Sequence, residues 1–161
     1  SNLNDADTRA YLERVFAPDL GNQQLLSNNS KWINFILVKN DHWTFDNVVL
    51  IGDALHTAHF SIGSGTKLAL EDSIALAQTF RRHRSVSDAL SEFEKTRKPY
   101  IAEYQAAAFK SMQWFETARN YMHLRPIELA YSVMRRSGKV DHQELMKRDP
   151  GFIAAYEAAT S

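Results

Sequence analysis

The sequence predicts a mainly helical chain with two or three short strands, built around one strand–loop–helix unit of the α/β kind. Three observations carry this. The run Val48-Val49-Leu50-Ile51 is short, apolar and β-branched, as a buried strand is. Gly52-Asp53 ends it, a loop follows and closes with Gly63-Ser64-Gly65, and from Thr66 a long segment of strong helix formers has neither Pro nor Gly. Downstream, Leu90, Phe93, Tyr100, Ile101, Tyr104, Ala107, Ala108, Met112 and Phe115 recur at helical spacing.

In chain order, Asp5 or Asp7 is expected to cap a first helix with an apolar stripe of Tyr11, Leu12, Val15 and Phe16. Pro18 and Gly21 should end it, and residues 23–30 read as a polar loop. Trp32-Ile33-Asn34-Phe35-Ile36-Leu37-Val38 reads as a strand over residues 31–38, its alternation leaving one face for Asn34 and Ile36 and the other for Phe35 and Leu37. The central strand–loop–helix occupies residues 47–83. Ser85 and Asp88 form a capping-box pattern ahead of the long helix, which Pro99 should kink or break. Pro126, Asp141 and Pro150 mark the starts of three further helices, so that residues 85–161 read as helical throughout.

Composition narrows the function classes. With 161 residues there is room for one ordinary domain with a real core. Nineteen Lys and Arg balance 19 Asp and Glu, which argues against a basic nucleic-acid surface. No run of about 18 apolar residues is present, so no membrane span is expected. The absence of cysteine removes disulfides, thiolate nucleophiles and thiolate metal sites, and fits a cytoplasmic location.

The chemistry concentrates in residues 52–67. A carboxylate in the turn after a strand, Asp53, accepts strongly from hydroxyl groups. The glycines of Gly63-Ser64-Gly65 let a ligand approach backbone N–H groups at a helix N-terminus, where anionic character is stabilised. A Walker P-loop is excluded, because Thr66 separates Gly65 from Lys67. Asp53, His56 and His59 stand three residues apart, which leaves a metal-dependent hydrolase as an alternative. A second alternative is a non-catalytic helical interaction module. Arg81, Arg82, Arg84, Arg135 and Arg136 read as solvated helix ends.

Gly52-Asp53-Ala54-Leu55-His56, then Gly63-x-Gly65, then a helix with Asp72 near its second turn resembles the second flavin-binding motif of the FAD-dependent aromatic hydroxylases, the single-component flavoprotein monooxygenases. Phe60, Ser64 and Lys67 stand where the commoner family pattern has Pro, Gln and Asn. Residues 56–72 as a whole resemble the branch that hydroxylates aromatic CoA thioesters, which includes salicylyl-CoA 5-hydroxylase and 2-aminobenzoyl-CoA monooxygenase/reductase. The resemblance implies an α/β parent of the FAD/NAD(P)-binding, Rossmann-like kind. In it, residues 31–38 would be the last strand of the substrate-side sheet. Gly52, Asp53, His56, Gly63, Ser64, Gly65, Thr66 and Lys67 would contact FAD, and Asn34, Phe35, His59 and Phe60 would face the substrate. It implies NAD(P)H, O₂ and an aromatic, CoA-linked substrate as partners, and assigns no general acid or base. No Gly-x-Gly-x-x-Gly fingerprint for the ADP half of FAD occurs. The chain is therefore expected to be the C-terminal part of a larger flavoprotein, inactive and without FAD by itself, with its orphaned strand prone to self-association.

Overall fold

The computed structural model describes residues 4–28 and 31–161 and divides the chain into two compact units, one within residues 1–36 and the other Leu37–Ser161. In the first unit, α1 spans Asp5–Val15 and α2 spans Ala17–Leu20. The cap of α1 is Asn4 rather than Asp5 or Asp7: its backbone is extended and its side-chain oxygen accepts from the Asp7 N–H at 2.8 Å. Both aspartates lie inside the first turn, where they complement the helix dipole. Pro18 opens α2 instead of ending α1, and Gly21, with φ of 56°, closes it. The chain that follows folds back on α1, with Glu13 accepting from the Leu25 N–H at 3.1 Å and the Trp32 indole donating to Thr8 at 2.9 Å. Of the loop expected over residues 23–30, positions 29 and 30 lie outside the described residues.

Residues 31–38 are not a strand. Alternation marks which side chains share a face, but a strand exists only within a ladder of paired neighbours, and the sheet among the described residues comprises Thr44–Phe45 and Val48–Val49.

The second unit opens with a hairpin. β1, Thr44–Phe45, pairs antiparallel with β2, Val48–Val49, in the register Thr44↔Val49 and Phe45↔Val48. Asp46 turns the chain at φ of 53°, a left-handed conformation that aspartate tolerates. Val48 and Ile51 are exposed, so the expected buried strand is half-exposed; only Val49 and Leu50 pack on the core.

Two 3₁₀ turns, Gly52–Ala54 and Phe60–Ile62, lead into α3, Gly65–Arg82, and α4, Val86–Glu116. The helices run antiparallel: Arg82 reaches Glu92, Asp72 reaches Arg97 and Lys67 reaches Tyr104. Ser85 caps α4 as expected, accepting from Asp88. The helix passes through Pro99 without a break. Pro99 is exposed, so the carbonyl it leaves without a donor faces water, while buried Phe93 and Ile101 anchor the helix on either side. Trp43, Leu55, Ala58, Leu68, Phe93, Ile101 and Ala108 form the core between hairpin, loop and helix pair. Three helices complete the unit: α5, Pro126–Arg135; α6, His142–Arg148, capped by Asp141; and α7, Pro150–Thr160, capped by Asp149. Tyr131 of α5 stacks on Tyr156 of α7 with ring centroids 3.9 Å apart. No helix among the described residues is long and apolar enough to cross a membrane.

Candidate functional site

The loop between β2 and α3 is fixed from inside. His56 is buried, and its Nε2 lies 2.6 Å from Asp72 Oδ2. Asp72, with 0% exposure, takes its other oxygen to Arg97 of α4 at 2.8 Å, and Glu71 lies 3.4 Å from the same guanidinium. Trp43 packs against the His56 ring with centroids 6.0 Å apart. A buried carboxylate is stable only when its charge and lone pairs are met, and here a guanidinium and an imidazole meet them. The Asn40 amide donates to the carbonyls of Ala54 and Leu55 at 3.1 and 2.6 Å, which straps the Asp53 turn from the other side. Buried Gln105 donates to Val38 and Thr57 at 3.0 and 2.8 Å, tying both ends of this loop system to α4.

On this base the outward groups are open. Asp53 is exposed in the Gly52–Ala54 turn, and its carboxylate has no partner among the described residues. Gly52 sits at φ of 60°, which the turn requires. Gly63 also has a positive φ, 62°, and closes the Phe60–Ile62 turn. Gly65 is different. It is the first residue of α3, outside the left-handed region, and a Cβ there would meet no heavy atom within 4 Å. Neither strain nor packing of this chain asks for glycine at position 65. Ser64 precedes α3 without capping it, its hydroxyl bonded instead to the Ile62 carbonyl at 3.2 Å. The N–H groups of Gly65, Thr66 and Lys67 have no acceptor among the described residues. The result is an open helix N-terminus with no side chain in front of it, suited to an electron-rich ligand.

The structure sorts the residues that the sequence singled out. Gly52, Asp53, Gly63, Ser64, Gly65 and Thr66 lie on the loops and helix start just described. His56 turns inward to Asp72. Lys67 reaches across to α4, with its ammonium 3.0 Å from the Tyr104 hydroxyl, 3.4 Å from Tyr100 and 2.9 Å from Glu71. Those bonds, Tyr104 first and Glu71 next, hold Lys67 protonated above the usual lysine range, and Lys67 in turn pulls the Glu71 carboxyl down. The Tyr104 phenol is pulled below its ordinary value by its bond with Tyr100 and then by Lys67.

His59 accepts from the Ser61 N–H at 3.3 Å and stacks on the exposed Phe60 ring at 4.3 Å. Asn34 and Phe35 belong to the first unit. No group of three acidic, histidine or cysteine side chains among the described residues converges for a metal ion, so Asp53, His56 and His59 do not assemble the alternative hydrolase centre. His56 is spent on Asp72, and His59 on its own turn.

Residues that matter here and left no local mark in the sequence are Arg97, Gln105 and Ser111. Arg136 corrects an expectation. It is not a solvated helix end: it is half-buried and bonded to Ser61, Ser111 and Val133. Arg82 is an exposed helix end as expected, and it pairs with Glu92, which also takes His83.

Comparison with known proteins places this arrangement. The family model described as squalene epoxidase matches residues 10–138. The chain is 38% identical over 154 residues to a salicyloyl-CoA 5-hydroxylase of Streptomyces sp, covering 94% of this chain and 29% of that protein. It is 39% identical over 145 residues to 3-hydroxy-4-methyl-anthranilyl-[aryl-carrier protein] 5-monooxygenase of Streptosporangium sibiricum, covering 89% and 40%. Protodeoxyviolaceinate monooxygenase of Chromobacterium violaceum is 33% identical over 131 residues, covering 81% and 35%. The chain thus spans 29–40% of the length of these three relatives. An inward-facing His–Asp–Arg seam beneath an open, glycine-lined helix start is carried here by a chain that belongs to the squalene epoxidase family of FAD-dependent monooxygenases.

Proposed function

We propose that this chain supplies the ring-binding side of the flavin site in an FAD-dependent hydroxylase of aromatic substrates carried as thioesters. The observation that supports this most is the start of α3. Gly65 is required by neither strain nor packing, and the N–H groups behind it are open. A planar, electron-rich ring system fits such a surface, since no Cβ stands between it and the amides. FAD, when bound, supplies the redox and oxygen-transfer chemistry, with NAD(P)H and O₂ as co-reactants. The chain's own residues bind and orient. Asp53 accepts hydrogen bonds from hydroxyl groups of the cofactor's sugar-alcohol chain. The amides of residues 65–67 and the α3 dipole stabilise negative charge on the ring. Gly52, Gly63, Ser64 and Thr66 shape that surface. His56 acts from below, holding the loop through Asp72. Lys67 adds a fixed positive charge one turn into α3, partly offset by Glu71.

The thioester assignment takes its support from two relatives whose names specify CoA-linked and carrier-protein-linked aromatic acids. His59 and Phe60, stacked and outward at the loop's rim, and Asn34 and Phe35 are the proposed substrate-side residues. The proposed setting is a Rossmann-like α/β domain in which residues 31–38 complete a sheet that this chain does not itself build. The ADP half of the cofactor would be held outside this chain, and alone it should neither retain FAD nor turn over.

The deciding experiment is Gly65→Val in the natural full-length protein. The substitution introduces a branched side chain at the open surface without straining the backbone. The expected outcome is a shifted flavin absorption band and NAD(P)H oxidation uncoupled from hydroxylation. An unchanged spectrum together with unchanged coupling would overturn the reading.

A further inference from the structure

The loop that precedes α3 is gripped by a side chain 75 positions further along the chain. Arg136, just past the end of α5, donates from one terminal nitrogen to the Ser61 carbonyl at 2.9 Å and from the other to the Val133 carbonyl at 2.8 Å. Its Nε donates to Ser111 Oγ of α4 at 3.1 Å. Ser111 is fully buried, and its hydroxyl also approaches the Ser61 carbonyl, at 3.5 Å. The guanidinium lies over the Phe115 ring, 5.6 Å from its centroid. Three directions of the planar fork are therefore used at once, on α4, on α5 and on the Phe60–Ile62 turn, which a lysine ammonium cannot reproduce.

Two features set this apart from an ordinary strap. The acceptors are carbonyls and a hydroxyl, and no carboxylate pairs with Arg136 among the described residues, so its positive charge is not cancelled locally. The carbonyl it holds also belongs to the turn that ends at Gly63, two residues before α3 begins. Fixing Ser61 fixes where the open amides of residues 65–67 stand, and a cation behind the loop reinforces the positive end of the helix.

We propose that Arg136 is a positioning residue for the flavin ring, setting the placement of residues 61–65 by its fork and raising the local potential by its charge. This rests on the flavin-site reading above and adds to it a residue that α5 contributes from behind.

The test uses the natural full-length protein loaded with FAD, as Arg136→Met and Arg136→Lys. Met keeps the length and removes every donor; Lys keeps the charge and loses the fork. In the Met variant, amide hydrogen exchange at Ile62 and Gly63, the hydrogen-bonded amides of the turn, should accelerate about tenfold or more, the loss expected for a charged hydrogen bond. Exchange in the middle of α3, residues 73–79, should stay unchanged. The flavin should remain bound with a shifted absorption band and a lowered reduction potential. The Lys variant should recover the potential but not the exchange protection.

If Met does not yield folded protein, Ser111→Ala, which removes one acceptor of the fork, should speed exchange at Ile62 and Gly63 to a smaller degree. Unchanged loop exchange in the folded variants, or equal acceleration throughout α3, overturns the proposal. A loosened loop with an unchanged flavin, where Gly65→Val does perturb the flavin, overturns the positioning role alone. An unchanged flavin in Gly65→Val as well overturns the site reading on which the role rests.

Discussion

Asp53 and Asp72 lie 19 positions apart on either side of the same loop, and their circumstances are opposite. Asp72 has no exposed surface and both of its oxygens are engaged, one by Arg97 and one by His56. Asp53 stands in a turn whose backbone is strapped by Asn40, yet its carboxylate is exposed with no partner among the described residues. One carboxylate is used by the fold, and the other is left open to solvent by it. The difference shows how a chain keeps an open loop in place: the buried pair joins loop to helix, so the exposed groups need no contacts of their own.

That contrast can be broken at several points. The largest effect is expected from Asp72→Ala, which leaves half-buried Arg97 only its longer contact with Glu71, leaves buried His56 unpaired, and should lower unfolding stability by about 3 kcal/mol. Denaturant unfolding measures this; a loss under about 1 kcal/mol would mean that the seam is not what holds the loop. Asp53→Ala should do the reverse. Stability should change by no more than about 0.5 kcal/mol, as for exposed sites. Flavin retention on dilution of the full-length protein should weaken by about 1.5–3 kcal/mol, the worth of a charged hydrogen bond. Equal retention by the variant and the parent would remove Asp53 from the site.

The smallest effect concerns pH at the Lys67–Glu71 pair, which lies between the two aspartates' surroundings. Glu71 is held below its ordinary value of 4.5, so its contribution is present above that value and is lost as pH falls through the lower folded value. Lys67 is held above its ordinary 10.5, so its contribution is present below that value and is lost as pH rises beyond it. The stability difference between the parent and Glu71→Gln should therefore be flat through neutral pH and shrink in acid. Partly exposed i,i+4 pairs are worth only about 0.3–0.5 kcal/mol. A difference that grew as pH fell below 4 would contradict the assignment.

Local signals in the sequence were legible wherever the determinant sits within a few residues. The start of α3 beside Gly65, the Ser85 cap and the helix starts at Pro126, Asp141 and Pro150 all appear where the pattern placed them, whereas β2 ends at Val49, before the expected Gly52. Asn4 displaced Asp5 as the cap of α1 by a single position, since the cap is whichever residue has the extended backbone and not the one with the most acidic side chain. The turn at Gly52–Ala54, the left-handed Gly63 and the helix start at Gly65 were legible for the same reason, since each depends on its nearest neighbours in the chain.

What the sequence determined by itself, then, is the run of helices, the turn chemistry and the motif that ties the chain to its family, because each depends on short-range spacing and residue type. Tertiary structure alone decided that residues 31–38 lack a strand's ladder, that α4 runs on through Pro99, and that His56 faces Asp72. It also decided that Arg97 and Arg136, which look like any surface cations in the sequence, are inner parts of the loop's support. Those outcomes depend on which groups meet across 16 to 75 positions of chain, and a hydrogen bond or an ion pair exists only once both partners have been brought together.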